Sequence, residues 1–325
     1  AHPHEIIFTA GATDGINLVA GTWGRANLTA SSTVLMTRLE HHSNIVPWQI
    51  LASEIGFKIE IIEIFPEGSI DLEDYNAKLA LAPSLVCFSH VSNTLGTIND
   101  AKRLTSLAHD AGAIVMVDGA QAAPHMNVDL QDINCDFYVA SGHKMYGPTG
   151  IGFLYGKRAL LDAMPPWRGG GEMISSVSFD VPTTFNVPPY KFEAGTPHIS
   201  GAIALGAAIK WMESVGLDNI AEHELALTKY AHEKLLQIEG LRIYGTADNK
   251  AGVVSFLVEG THPSDLGTLL DQLGVAVRTG HHCTEPLMDW YKIPGTVRAS
   301  FGAYNTFEEI DALVAALERA IKMLK

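Results

Sequence analysis

Five short stretches carry residue types from which covalent chemistry is built. "ASGHKMYGPTG", residues 140–150, sets Lys144 between small residues and a Gly-Pro turn. A lysine amine condenses with an aldehyde to an imine, and burial lowers its pKa so that neutral amine is available. Ser141 and His143 stand in the same turn as donors for a phosphate or another anion. "IVMVDGAQ" ends an apolar run on Asp118, a carboxylate that is costly to desolvate without a partner. A cationic ring nitrogen is one such partner; a helix N-cap is the plainer alternative. Gln121 follows three residues later and can face the same ligand. "RTGHHCTE" places Cys283 behind His281 and His282 in a polar loop, surroundings that favour a reactive thiolate, with Arg278 offering a fork for a carboxylate. In "LEHHSN", His41 suits stacking on an aromatic ligand or moving a proton; the plainer reading starts a helix there with Ser43 as its cap. In "TAGATDG", Thr13 and the backbone N–H groups around it suit a phosphate at a helix N-terminus.

The elements that must position these residues alternate. Over residues 1–155, short apolar runs ("EIIFTA", "TVLMT", "KIEIIEIF", "SLVCFSHV", "AIVMVDGA", "CDFYVAS") are separated by helix-like segments. That order predicts a mostly parallel sheet with helices on both faces, an α/β architecture. Ligands of such sheets bind beyond the carboxyl ends of the strands, where the stretches above fall. Residues 156–200 are rich in Gly and Pro and read as long ordered loops. A long helical stretch is expected over roughly 200–237, then a smaller α+β unit made of "LRIYG", "GVVSFLVEG", "SDLGTLLDQLG", "VAVRTG", "VRASFGAYN" and a last helix. The expected division is 1–212 for the large, ligand-binding domain and 213–325 for the small C-terminal domain that carries the cysteine loop.

Composition excludes several classes. The 325 residues are 47% hydrophobic and 18% charged, which reads as globular rather than disordered. The net charge of −14, from 22 basic and 36 acidic residues, argues against nucleic acid as a partner. No apolar run is long enough to span a bilayer, so no membrane is expected. The three cysteines, Cys87, Cys135 and Cys283, show no paired spacing, and a reducing cytoplasm is the expected compartment. Cys87 and Cys135 are expected inside apolar strands. No metal site is expected: adjacent His281, His282 and Cys283 are poorly spaced for one tetrahedral ion, which leaves a metal or iron–sulfur scaffold as a remote alternative.

Taken together, "TAGATDGINLVA", "EHHSNIVPWQ", "SHVSNTLGT", "VDGAQAAPH", "DFYVASGHKMYGPTGIGFLYG", "FEAGTP", "VAVRTGHHC" and "RASFGAYNT" give the chain a clear likeness. It resembles the fold-type I pyridoxal phosphate enzymes of the class V aminotransferase group, and within them the SUF-type (group II) cysteine desulfurases. The resemblance implies a seven-stranded-type large-domain sheet and pyridoxal 5'-phosphate as cofactor. It implies that Lys144 holds the cofactor, Asp118 pairs with its ring nitrogen, Gln121 with the ring hydroxyl, and His41 stacks on the ring. Thr13, Ser141 and His143 would bind the phosphate, and Thr196 would reach the phosphate of the other subunit of a homodimer. Asn93 and Arg298 would hold the substrate, with Arg298 on its carboxylate, and Cys283 would accept the sulfur. The implied reaction converts L-cysteine to L-alanine and loads a persulfide for a small sulfur-acceptor protein of the SUF system in iron–sulfur cluster assembly. Selenocysteine lyase activity on L-selenocysteine, or another class V reaction of the kynureninase or aminotransferase type, is the alternative. Simple transamination has no use for Cys283. The resemblance further implies that the family's N-terminal segment, which precedes "EIIFTAG", is missing from this sequence.

Overall fold

The computed structural model describes residues 2–324. The first half of the chain alternates as expected: β1 (Ile6–Thr9), α1 (Ala12–Val19), α2 (Arg25–Asn27), β2 (Thr33–Thr37), α3 (Val46–Ile55), β3 (Lys58–Ile62), α4 (Leu72–Leu79), β4 (Leu85–Ser89), α5 (Ala101–Asp110), β5 (Ile114–Asp118), α6 (Leu130–Ile133), β6 (Phe137–Ser141), β7 (Gly152–Gly156) and α7 (Arg158–Ala163). The seven strands form one sheet in the order β1-β7-β6-β5-β4-β2-β3. β3, β2, β4, β5 and β6 run parallel, and β7 is antiparallel to both β6 and β1. Central strands β4 (LVCFS) and β6 (FYVAS) are buried along their whole length, as parallel strands covered on both faces must be. Ile16, Trp48, Met36 and Phe137 fill one face; Tyr75, Leu104, Val117 and Tyr138 fill the other.

Local chemistry sets where the covering helices begin. Asp71, Asp100 and Asp129 cap α4, α5 and α6 by accepting backbone N–H bonds in the first turn. Cys135 is a correction: it is fully buried, but it lies in the turn before β6 and not within a strand.

The Gly/Pro-rich stretch contains a two-stranded hairpin, β8 (Ile174–Ser176) with β9 (Thr184–Phe185). The expected long helix is two, α8 (Ile199–Val215) and α9 (Leu217–Leu235), because Gly216 adopts φ +89°, a left-handed value that ends α8. The second sheet joins β10 (Leu241–Tyr244), β11 (Val253–Val258), β13 (Thr296–Ser300) and β12 (Arg278–Gly280) in the order β10-β11-β13-β12, all antiparallel. It packs with α9, α10 (Pro263–Gln272) and α12 (Phe307–Leu324) around its own core, which includes Leu227, Phe256, Leu266 and Leu317. α11 (Glu285–Tyr291) follows the cysteine loop, and its Leu287 and Met288 pack into the core of the first sheet.

Candidate active site

Four neighbouring strands end at one cavity. β4 delivers Ser89 and, just beyond it, Asn93; β5 delivers Asp118 and then Gln121; β6 delivers Ser141, His143 and Lys144; the turn after β2 delivers His41. α1 starts on the same cavity with Ala12 and Thr13, so its N-terminal dipole end faces the space. From the second sheet, Arg278 on β12 and Arg298 on β13 close the opposite wall; they are register partners. Ten residues singled out in the sequence therefore meet in one place.

Their electrostatics follow from burial. Burial pushes Lys144 below the usual lysine range, and the nearby arginines add to this; Asp118 opposes it. Burial raises the Asp118 carboxyl, and Lys144 opposes this. Asp118 accepts the Ala120 backbone N–H at 2.9 Å, so it is anchored at a turn while still facing the cavity. His41 is pushed down to about 4, first by burial and then by Lys144, and its ring is neutral at ordinary pH. Its Nδ1 accepts from the Ser43 N–H at 3.1 Å and meets Ser43 Oγ at 2.7 Å. The cap of this turn is thus His41 itself, not Ser43. Ser141 Oγ accepts the Ala12 N–H at 2.8 Å, which draws the start of α1 against the end of β6. That approach needs glycine at 11: a Cβ there would stand 3.2 Å from Ser141 Oγ, and Gly11 has φ +150°.

Cys283 sits beside the cavity rather than in its wall, with Arg278 Nη2 3.4 Å from its Sγ. The loop is strained. His282 and Cys283 both take left-handed φ values, +54° and +61°, which cost on the order of 1–3 kcal/mol each. Contacts from the first sheet hold it. The His42 N–H donates to the Cys283 carbonyl at 2.8 Å, and the Glu285 N–H donates to His42 Nε2 at 3.0 Å. Asn93 Nδ2 donates to the His282 carbonyl at 2.7 Å, and Thr94 and Thr284 share a hydroxyl bond at 2.7 Å. His281, His282 and Cys283 diverge: His282 is buried on Thr296, Cys283 turns to Arg278, and His281 is exposed near Glu285. Asn93 is therefore occupied by the loop, while its carbonyl accepts from Arg298 Nη1 at 2.7 Å. Thr196 is exposed and outside this cavity, next to Gly195 and Pro197, which line a separate groove with Asp14 and Arg168.

The donor set suits a flat, cationic ring that bears a phosphate. A buried carboxylate and a neutral imidazole are available for the ring, and a helix N-terminus with hydroxyls for the phosphate. Two buried polar atoms at the cavity, Ser89 Oγ and Arg298 Nε, have no protein partner among the described residues, as expected of a site built to bind. Ser89 was not singled out in the sequence; a serine at a strand end gives no distinguishing signal.

The family model for class-V aminotransferases matches residues 1–313. The chain belongs to the class-V aminotransferase family. Within that family its relatives include cysteine desulfurases of Escherichia coli (strain K12 / DH10B) and Serratia proteamaculans. Each is 48% identical over 320 residues, covering 98% of this chain and 79% of the relative. Among solved class-V structures, the Escherichia coli cysteine desulfurase CsdA aligns with a TM-score of 0.95 at 39% identity, over 99% of this chain and 80% of that one. The apo cysteine desulfurase of Thermococcus onnurineus aligns with the same TM-score and coverage at 42% identity.

Proposed function

We infer that this chain is a pyridoxal phosphate-dependent cysteine desulfurase, which converts L-cysteine to L-alanine and takes the sulfur on Cys283 as a persulfide. The observation that carries the reading is a buried lysine–carboxylate pair in one cavity, with a cysteine held at its edge beside an arginine. Pyridoxal phosphate, when bound, supplies the electron sink. Lys144 would hold the cofactor and would serve as the base for the substrate Cα proton; its lowered pKa favours the neutral amine that this needs. Asp118 would pair with the ring nitrogen, Gln121 with the ring hydroxyl, and His41, a neutral imidazole, would stack on the ring. Thr13, Ser141 and His143 hold the phosphate with the N-terminus of α1. Arg298 takes the substrate carboxylate, and burial keeps its side chain in place while lowering it to about 10. Asn93 acts through the cysteine loop as well as on substrate. Cys283, whose Sγ lies 3.4 Å from the Arg278 guanidinium, would attack the substrate sulfur. An S–S bond would form and the Cβ–S bond break, its electron pair staying with the three-carbon fragment; that fragment takes up at Cβ the proton given up by the substrate thiol, regains one at Cα from Lys144, and leaves as alanine.

Thr196 serves a second subunit, so the assembly is a homodimer, and its exposure supports that reading. A separate second core supports the division into 1–212 and 213–325, with α8 carrying the chain across. The persulfide passes to a small acceptor protein of the SUF type in the cytoplasm. The experiment is an absorption spectrum with added pyridoxal phosphate, before and after L-cysteine, with alanine and sulfide assayed together in the presence of a dithiol that reduces the persulfide. Equal release of the two from the wild type, with none from Cys283→Ser that keeps its cofactor band, is the expected result. Full activity of Cys283→Ser on cysteine would overturn the sulfur-acceptor assignment.

A further inference from the structure

Glu224 is buried within α9, 1% exposed, and none of the steps above uses it. It lies outside the cavity, yet its carboxylate gathers three segments that build it. His125 Nδ1 meets Oε2 at 2.7 Å, and the Tyr146 hydroxyl donates to Oε1 over a longer 3.4 Å. The same hydroxyl accepts the Ala303 backbone N–H at 3.1 Å. Each partner follows closely on a residue of the site. His125 comes after Gln121, Tyr146 comes two residues after Lys144, and Ala303 lies in the turn after β13, which carries Arg298.

The intervening stretches are stiff. The Gly119 carbonyl accepts the Ala122 and Ala123 N–H groups at 3.0 Å, and the Ala122 carbonyl accepts that of His125 at 3.0 Å, so the chain from Asp118 to His125 is one tight coil. Met145 and Gly147 both donate to the Gly142 carbonyl at 2.9 Å, which closes the turn that holds Lys144. Tyr146 sits in that turn at φ +58°, a left-handed value that a bulky residue adopts only when its surroundings impose it. Its ring packs edge-on against Trp211 of α8, with centroids 4.8 Å apart, and its hydroxyl is held as above. On α9, His223 stands beside Glu224 and donates through Nε2 to the Asn305 carbonyl at 2.9 Å, so the helix also grips the turn after β13. Lys144 belongs to the first sheet's wall and Arg298 to the second sheet's; the Tyr146 hydroxyl spans the two.

We propose that Tyr146 and Glu224 are positioning residues that fix the gap between Lys144 and Arg298, and so set where a substrate carboxylate rests relative to the base. The proposal rests on the reading of Lys144 and Arg298 given above. Tyr146→Phe keeps the ring and removes only the hydroxyl. With a dithiol present, its KM for L-cysteine should rise about fivefold, the worth of roughly one hydrogen bond, with kcat changed less than about twofold. The dissociation constant of L-alanine, titrated on the cofactor band without turnover, should rise by the same factor, while cofactor affinity stays within about twofold. Glu224→Leu removes both acceptors and should also raise KM. Glu224→Gln keeps an oxygen for Tyr146 and offers its NH2 to the other tautomer of His125, so its KM should stay within about twofold of the wild type. This pair decides the matter should Tyr146→Phe not fold. KM and L-alanine affinity unchanged in Tyr146→Phe or Glu224→Leu, even with a lower unfolding midpoint, overturns the proposal, because the cluster is then packing alone. A Glu224→Gln protein as impaired as Glu224→Leu overturns it too, since hydrogen bonds and not charge are held to set the gap. Amide hydrogen exchange on the full chain, with and without pyridoxal phosphate, reads the contact without turnover. The segment around Ala303 should exchange faster in Tyr146→Phe, and equal exchange overturns the proposal. A wild type without a cofactor band would instead count against the desulfurase reading, while exchange at Ala303 is measured all the same.

Discussion

Single side chains at this site are tuned by how deeply they are buried rather than by close ion pairing. Lys144 and Asp118 face one cavity, yet among the described residues they are not within ion-pair distance of one another, which leaves room between them for a ring. Arg298 is the clearest single-residue test. Its guanidinium spans the Asn93 carbonyl and the cavity, a planar fork that a lysine cannot copy. Arg298→Lys should raise KM for L-cysteine about tenfold or more while the cofactor band is unchanged, measured by steady-state kinetics beside a spectrum. Asn93→Ala should separate two roles. It frees the His282 carbonyl, so Cys283 should become more reactive towards a thiol reagent in stopped-flow alkylation, whereas a purely substrate-binding Asn93 would leave that rate alone.

At the scale of elements, what the sequence revealed and what it hid divide along physical lines. The alternation of apolar runs and helix-like segments placed the seven-stranded sheet, and strand ends pointed to Asp118, Lys144 and His41 before any geometry. Contacts between distant stretches were hidden. That Asn93 tethers the cysteine loop, that His42 braces it and that Glu40 ties β2 to β4 depend on pairs up to 243 residues apart in the chain, which no local pattern encodes. The helix break at Gly216 had a sign in the sequence, a glycine between Ser214-Val215 and Asp218-Asn219, but a lone glycine is tolerated inside a helix, and it is the left-handed φ that ends α8. The site's most sensitive backbone contact lies on β7. A Cβ on Gly152 would stand 2.4 Å from the Ala140 carbonyl oxygen and 2.6 Å from Gly11 Cα, with backbone on both sides. Gly152→Ala should therefore lower both the midpoint of thermal unfolding and cofactor affinity, because α1 must retreat; calorimetry and a cofactor titration read the two losses. Gly112→Ala, where no atom lies within 4 Å of the added Cβ but φ is +82°, should lower stability alone.

Over the whole molecule, buried histidines set the response to acid. His41, His90 and His232 are pushed to about 4 and His282 to about 3, in each case first by burial, from an ordinary value of 6.5. Across that window the unfolded chain binds more protons than the folded one. The stability these four contribute is complete above about pH 6.5 and is lost as pH falls towards 4. Glu40 acts in the opposite sense: its raised carboxyl favours the folded state below 4.5, and that contribution is lost as pH rises through about 7. Asp118 and Glu193, raised by burial, act with Glu40, and His143, lowered by burial, acts with the four histidines; five groups outweigh three, so the unfolding midpoint should drop on acidification from about pH 6.5 to about pH 4.5, and His282→Asn should flatten that slope in scanning calorimetry.

The pairing of β1 with β7 has a temporal meaning. Ile6 to Thr9 bond to Gly152 to Tyr155, so residues near the start of the chain gain their sheet partners only after about half of the chain is available. Such long-range closure is slow compared with helix formation. The phosphate-binding start of α1 follows β1 directly, and it reaches Ser141 at the end of β6 only when that closure is made. Cofactor capture is accordingly among the last events of folding, and the growth of its yellow colour during refolding would time the moment at which the sheet shuts.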